Sequence, residues 1–301
     1  DEVNSFYKST FNALFKVPKP HKTIYFPERQ EIKLTNNLCP DNYWVRKLKF
    51  CKRTVTYWSY KPYTLEVSIL FNPENKSGGK LRKPFIMVDG FDPEDKRNYF
   101  LTRLNNPDDL LPKEKDYRGL FNFLDGERSP WDPSTENNSN MVKALFDDGY
   151  DLIFVNFKIG AGDINKNAER VREFFNDVIN SPKFRDNKTE EAILVGPSMG
   201  GLITRIALRE MELAGEEHYV KSWISLDSPH KGASIPIALQ YAIKFGTKFK
   251  PSILSPFKPN PMDAALKKLD TYAANQLLLH HYSNTWDQAN PHPHHIALQN
   301  K

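Results

Sequence analysis

The chain has 301 residues, a formal net charge of +5 and a mean hydropathy of −0.61. No apolar run is long enough for a transmembrane helix, and the lysines are interleaved with acidic residues rather than gathered into the basic footprint that nucleic acid requires. Two cysteines, Cys39 and Cys51, with no nearby histidine pair, do not make a zinc site.

In chain order, residues 1–50 are polar, with short helices expected near 3–15. Cys39 and Cys51 are spaced to close a short loop, as a disulfide in an oxidising compartment or as two reduced thiols. Residues 51–71 alternate and are rich in β-branched and aromatic side chains, which predicts an antiparallel hairpin. Asn75–Gly79 is a turn, and the apolar run from Pro84 to Val88 is a buried strand that runs into Asp89-Gly90-Phe91. A long polar segment, 94–138, follows. Residues 140–146 read as a short helix, 150–157 as a second buried strand, and 163–180 as a helix with Ala168, Val171, Phe174, Phe175 and Val178 on one face.

Residues 193–195 are Ile-Leu-Val, an apolar strand, and they lead into Gly196-Pro-Ser-Met-Gly200 and then the amphipathic Gly-Leu-Ile-Thr-Arg-Ile-Ala-Leu. A serine set directly between a strand and a helix is held on a sharp turn, with small neighbours because the backbone is crowded there. The helix that follows aims its N-terminal amides at that serine. This makes Ser198 the candidate nucleophile. A further strand is expected at 220–227, a mostly helical stretch at 233–282, and a last strand in the run His295–Leu298. Strands alternating with helices predict a parallel sheet covered on both faces, with functional loops at the carboxyl ends of the strands.

Three motifs, Val88-Asp-Gly-Phe91, Gly196-Pro-Ser-Met-Gly200 and Leu226-Asp-Ser-Pro-His-Lys-Gly232, resemble those of α/β-hydrolase-fold lipases and esterases. Together with Gly149–Asn156 they are similar to secreted lipase-like proteins of Bacteroidetes-type bacteria, and the match covers roughly 84–240. The resemblance implies an α/β-hydrolase fold: a mostly parallel central sheet flanked by helices, with a helical cap. It implies one domain over 1–301, made of an N-terminal extension (1–50), core sheet and elbow (51–232), a helical cap or lid (233–290) and a last strand (291–301).

In that family Ser198 would attack an ester carbonyl, and the backbone amides of Phe91 and Met199 would hold the oxyanion. Asp89 stands where related loops carry a histidine. Asp227 is the candidate acid, or a cap of the Ser-Pro turn. His230 lies at the correct sheet edge, and His280, His281, His292, His294 and His295 are the other histidines that follow the elbow. No metal or organic cofactor is implied. The expected function is a serine carboxylic-ester hydrolase acting on a small-molecule or polymeric ester. The alternative is a catalytically weak or inactive hydrolase-fold binding protein that lacks a complete triad. No leader peptide is visible at Asp1, as in a mature secreted chain, and the expected location is secreted or cell envelope.

Overall fold

The computed structural model describes residues 22–26, 33–36, 53–56, 63–93, 124, 141–186, 190–248, 261–284 and 291–300. The short helices expected near 3–15, both cysteines and all of 94–138 except Leu124 fall outside these residues.

Eight strands form one sheet: β1 (Lys22–Phe26), β2 (Lys33–Asn36), β3 (Arg53–Thr56), β4 (Leu65–Leu70), β5 (Pro84–Val88), β6 (Asp151–Phe157), β7 (Ala192–Pro197) and β8 (Val220–Leu226). Their order across the sheet is β2-β3-β1-β4-β6-β5-β7-β8. The half that carries the site, β6-β5-β7-β8, is parallel throughout, and β4 runs antiparallel to β6.

Strand alternation divides the core between the two faces. On one face Phe85, Met87, Leu152, Phe154 and Val195 pack against Val142 and Leu145 of α1 (Met141–Asp147). On the other face Ile86, Val88, Ile153, Val155 and Leu194 pack against α2 (Ile164–Phe174) and α3 (Met199–Leu213). β5 and β6 are buried along their whole length, as expected for parallel strands with helices on both sides. Asp163 caps α2 by accepting from the Asn165 amide at 2.9 Å. A π-helical turn, Phe175–Ile179, continues α2 and buries Phe175, Val178 and Ile179, so the helical face expected over 163–180 is formed.

Beyond β8 lie α4 (Ile237–Gly246), α5 (Pro261–Leu269), α6 (Tyr272–Leu277) and α7 (Pro293–Gln299). Leu269, Ala274, Leu278 and Tyr282 form a small core of their own with Ile237 and Ile243. α6 ties this unit to the start of α2. Gln276 accepts from the Ile164 amide at 2.8 Å and donates to the Asp163 carboxylate at 2.9 Å. Among the described residues, no helix is long and apolar enough to cross a membrane.

Three sequence expectations are corrected. Residues 51–71 do not form a hairpin: β3 pairs with β1 and β2, and β4 pairs with β1 and β6. No two-residue Asn-Gly or Asp-Gly turn joins the two runs, and β1 pairs with β4 from Leu65 to Ile69. The N-terminal 1–50 is more than an extension, because β1 and β2 belong to the sheet. The run His295–Leu298 lies in a helix, α7, and is not a last strand. His292 caps it, Pro293 fills its first turn, and His295 and Leu298, three residues apart, form its buried face.

Candidate active site

β7 ends at Pro197, α3 begins at Met199, and Ser198 between them has φ 51° and ψ −127°. Such positive-φ backbone is strained for a residue with a side chain and is maintained by its surroundings. A Cβ on Gly196 would lie 2.6 Å from the backbone of Gly200, and one on Gly200 would lie 2.6 Å from the Asp89 carbonyl oxygen. The two glycines are therefore required by close approach of main chains, as the crowded turn predicts. The Ser198 amide donates to the Leu226 carbonyl at 2.8 Å, which fixes the turn to the end of β8. The Ser198 side chain is exposed, and among the described residues no side chain hydrogen-bonds its hydroxyl.

The loop after β5 lies against the serine. A Cβ on Gly90 would be 3.3 Å from the Ser198 Cβ and 3.8 Å from the Met199 nitrogen. Asp89 is buried, and its carboxylate accepts from the Gly90 amide at 2.7 Å. Asp89, which stands where related loops carry a histidine, therefore shapes the loop through the backbone beside it. Phe91 follows directly and packs on the core. The Met199 amide is at the first position of α3, where an N–H has no intrahelical acceptor.

Asp227 directly follows β8 at the same sheet edge, exposed and with φ 45°. His230 follows on the turn. Its Nε2 pairs with the Ser225 hydroxyl at 2.7 Å, not with Ser198, and its ring meets the Trp223 ring edge-on at 5.7 Å. Burial, assisted by the Arg205 charge, holds the His230 pKa below the ordinary histidine value.

The remaining histidines are set in the helical unit. His281 is buried, donates from Nε2 to the Leu269 carbonyl at 2.7 Å and accepts at Nδ1 from the Ser283 amide at 3.2 Å. His292 caps α7 by accepting from the His294 amide at 3.1 Å. His294 stacks on Tyr272, and buried His295 bonds the Gln276 carbonyl at 2.7 Å. His280 is exposed. Among the described residues, no group of three or more His, Cys, Asp or Glu side chains could hold a metal ion.

The sequence gives no sign of the polar line behind the elbow. Thr204, buried inside α3, accepts from the Trp223 indole and donates back to Gly200. Ser225 and Ser228 fill the space that a Gly201 side chain would occupy. The partners are remote in sequence, and no motif joins them.

A serine on a strained strand-to-helix turn, at the carboxyl edge of a parallel sheet with helices on both faces, has the geometry of a nucleophile elbow, and the fold is that of the α/β-hydrolases. Residues 165–300 match the lecithin:cholesterol acyltransferase family. Comparison with the curated proteins gave no match. Similar solved structures include the mature lipase BlEst2 of Bacillus licheniformis, with 17% identity, 74% of this chain and 64% of that one covered, and a TM-score of 0.29. Others are one of two Rhizomucor miehei esterases (13%, 91% and 68%, TM-score 0.35) and an inhibited esterase B from Lactobacillus rhamnosis (12%, 89% and 62%, TM-score 0.35). The chain thus spans 64% of the length of that lipase.

Proposed function

We propose that the protein is a serine carboxylic-ester hydrolase that works through an acyl-enzyme on Ser198. The observation that carries this reading is the exposed Ser198 on a positive-φ turn, directly before the Met199 amide that opens α3. In the reaction, the Ser198 Oγ adds to the ester carbonyl and its proton passes to a base. The carbonyl oxygen becomes an oxyanion held by the amides of Met199 and Phe91. The alcohol then leaves with a proton, and water releases the acid by the same route. Two fixed amides at the oxyanion account for a large part of the rate, since loss of one such donor typically costs on the order of 3 kcal/mol.

Asp227 and His230 are the proposed acid and base, because both follow β8 at the edge that carries Ser198. To serve as base, the His230 imidazole must exchange its Ser225 bond for Ser198. That bond also favours a second reading: a hydrolase-fold protein that binds an ester or a polymer surface with little turnover.

Fluorophosphonate labelling read by intact mass, with Ser198→Ala as control, separates the two. Rapid labelling that disappears in the control is the expected result. A folded protein that takes no label at Ser198 overturns the hydrolase reading and leaves the binding one.

A further inference from the structure

Behind the elbow, three hydrogen bonds and two peptide groups run in one direction. The Trp223 indole N–H donates to the Thr204 hydroxyl at 2.9 Å. The Thr204 hydroxyl donates to the Gly200 carbonyl at 2.8 Å, with the Gly201 carbonyl at 3.1 Å. The Gly200 carbonyl and the Gly201 N–H belong to one peptide group, and that N–H donates to the Ser198 carbonyl at 3.1 Å. The Ser198 carbonyl and the Met199 N–H belong to the next peptide group. The Met199 N–H is the last donor of the series and the one aimed at the oxyanion in the reading above.

We propose that this series, from Trp223 through Thr204 and two peptide groups to the Met199 amide, positions and polarises the oxyanion donor, so that Thr204 and Trp223 are positioning residues for Ser198 chemistry. A donor whose own carbonyl accepts a hydrogen bond is a better donor, and aligned bonds strengthen one another in a low-dielectric interior. The proposal rests on the reading of Ser198 as nucleophile.

Packing alone does not explain these residues. Thr204 is fully buried in the middle of α3, where a hydroxyl bonded back to the preceding turn is mildly unfavourable for a helix. Trp223 is 37% exposed, so its indole is not held there by core packing alone. The indole is held over Thr204 by the His230 ring, which Ser225 anchors in turn. The apolar isostere of Thr204 is valine, which fits the same space without the hydroxyl.

The test is the rate of fluorophosphonate labelling of Ser198 in the full chain, separated into the maximal rate and the half-saturating probe concentration. It is run on wild type, Thr204→Val, Thr204→Ser and Trp223→Phe, well below each melting temperature. Since complete removal of an oxyanion donor costs roughly a hundredfold or more, weakening one predicts a maximal rate about tenfold lower in Thr204→Val and about threefold lower in Trp223→Phe. The half-saturating concentration stays unchanged, and Thr204→Ser, which keeps the hydroxyl, labels at close to the wild-type rate. A Thr204→Val protein that melts differently but labels at the wild-type rate overturns the proposal and leaves Thr204 a role in helix stability alone. If Thr204→Val does not fold by circular dichroism, Trp223→Phe decides, and an unchanged rate there overturns the proposal equally. Wild type that takes no label fails at the earlier step, the nucleophile itself, and removes this inference with it.

Discussion

Gly196 and Gly200 face each other across the elbow so closely that a single added Cβ on Gly196 would penetrate to 2.6 Å from the Gly200 carbonyl oxygen. Main chain cannot move aside as a flexible side chain would. Gly196→Ala and Gly200→Ala are expected to lose about 1–3 kcal/mol each, the ordinary cost of forcing atoms into a filled core. Urea unfolding checks the loss. Gly215→Ala is the comparison: nothing lies within 4 Å of its would-be Cβ, although its φ of +68° still adds backbone strain.

Asp151 is fully buried, and its hydrogen-bond donors are neutral groups. It accepts from the amides of Asn72 and Arg82, both at 2.7 Å, and from the Asn75 side chain at 2.9 Å. Burial pushes its pKa up against these bonds. Asp151→Ala leaves several donors without an acceptor, so a loss of about 3 kcal/mol or more is expected. Chemical denaturation reads it, and a loss below about 1 kcal/mol would show that water replaces the carboxylate.

His292 is expected to make the α7 docking sensitive to acid. Burial, then the neighbouring His294 and His281, lower its pKa from the ordinary 6.5. Tyr272 stacks on His294 from α6, while Tyr282, beside His281, bonds Asp270 and lies under Lys244. A depressed histidine favours the neutral form in the fold, so its contribution is present above 6.5 and is lost as pH falls through the lower folded value. Protonation at Nδ1 also removes the acceptor for the His294 amide. Amide exchange at His294 to Leu298 should accelerate as pH falls through this window. His292→Asn, a capping residue that does not titrate there, should flatten the response.

The Arg172–Glu216 pair is lost in the same direction, on acidification, but at lower pH. Two hydrogen bonds from the guanidinium, one of 2.8 Å, bring the Glu216 pKa down to about 2. A depressed carboxylate contributes above its unfolded value of 4.5, and the contribution disappears as pH falls through about 2. Both side chains are about 30% exposed, so solvent screening limits the gain to about 1 kcal/mol or less. Glu216→Gln should lower the melting temperature slightly at neutral pH and leave it unchanged near pH 2.

The elbow is legible in the sequence because its determinants are local: an apolar strand, two obligatory glycines and an amphipathic helix within about 20 residues. β5 and β6 are legible for the same reason, as continuous apolar runs. β1, β2 and β3 have four or five residues each, and their order in the sheet follows from pairing across distant segments, which no short pattern encodes. The run at His295–Leu298 has a spacing that suits either element, and Pro293 and the His292 cap decide for a helix. Side-chain partners such as Thr204 with Trp223, or Gln276 with Ile164, become visible only once the chain has folded.

The positive φ of Ser198 sets function against durability. The backbone there suits glycine, and a side chain held in that region typically costs about 1–3 kcal/mol. Ser198→Gly is therefore expected to melt higher than the natural protein while losing all labelling, and paired melting and mass measurements check both halves. Selection for stability alone would discard the hydroxyl. Its presence at the least comfortable backbone position of the elbow is the mark of a molecule kept for what it does rather than for how long it lasts.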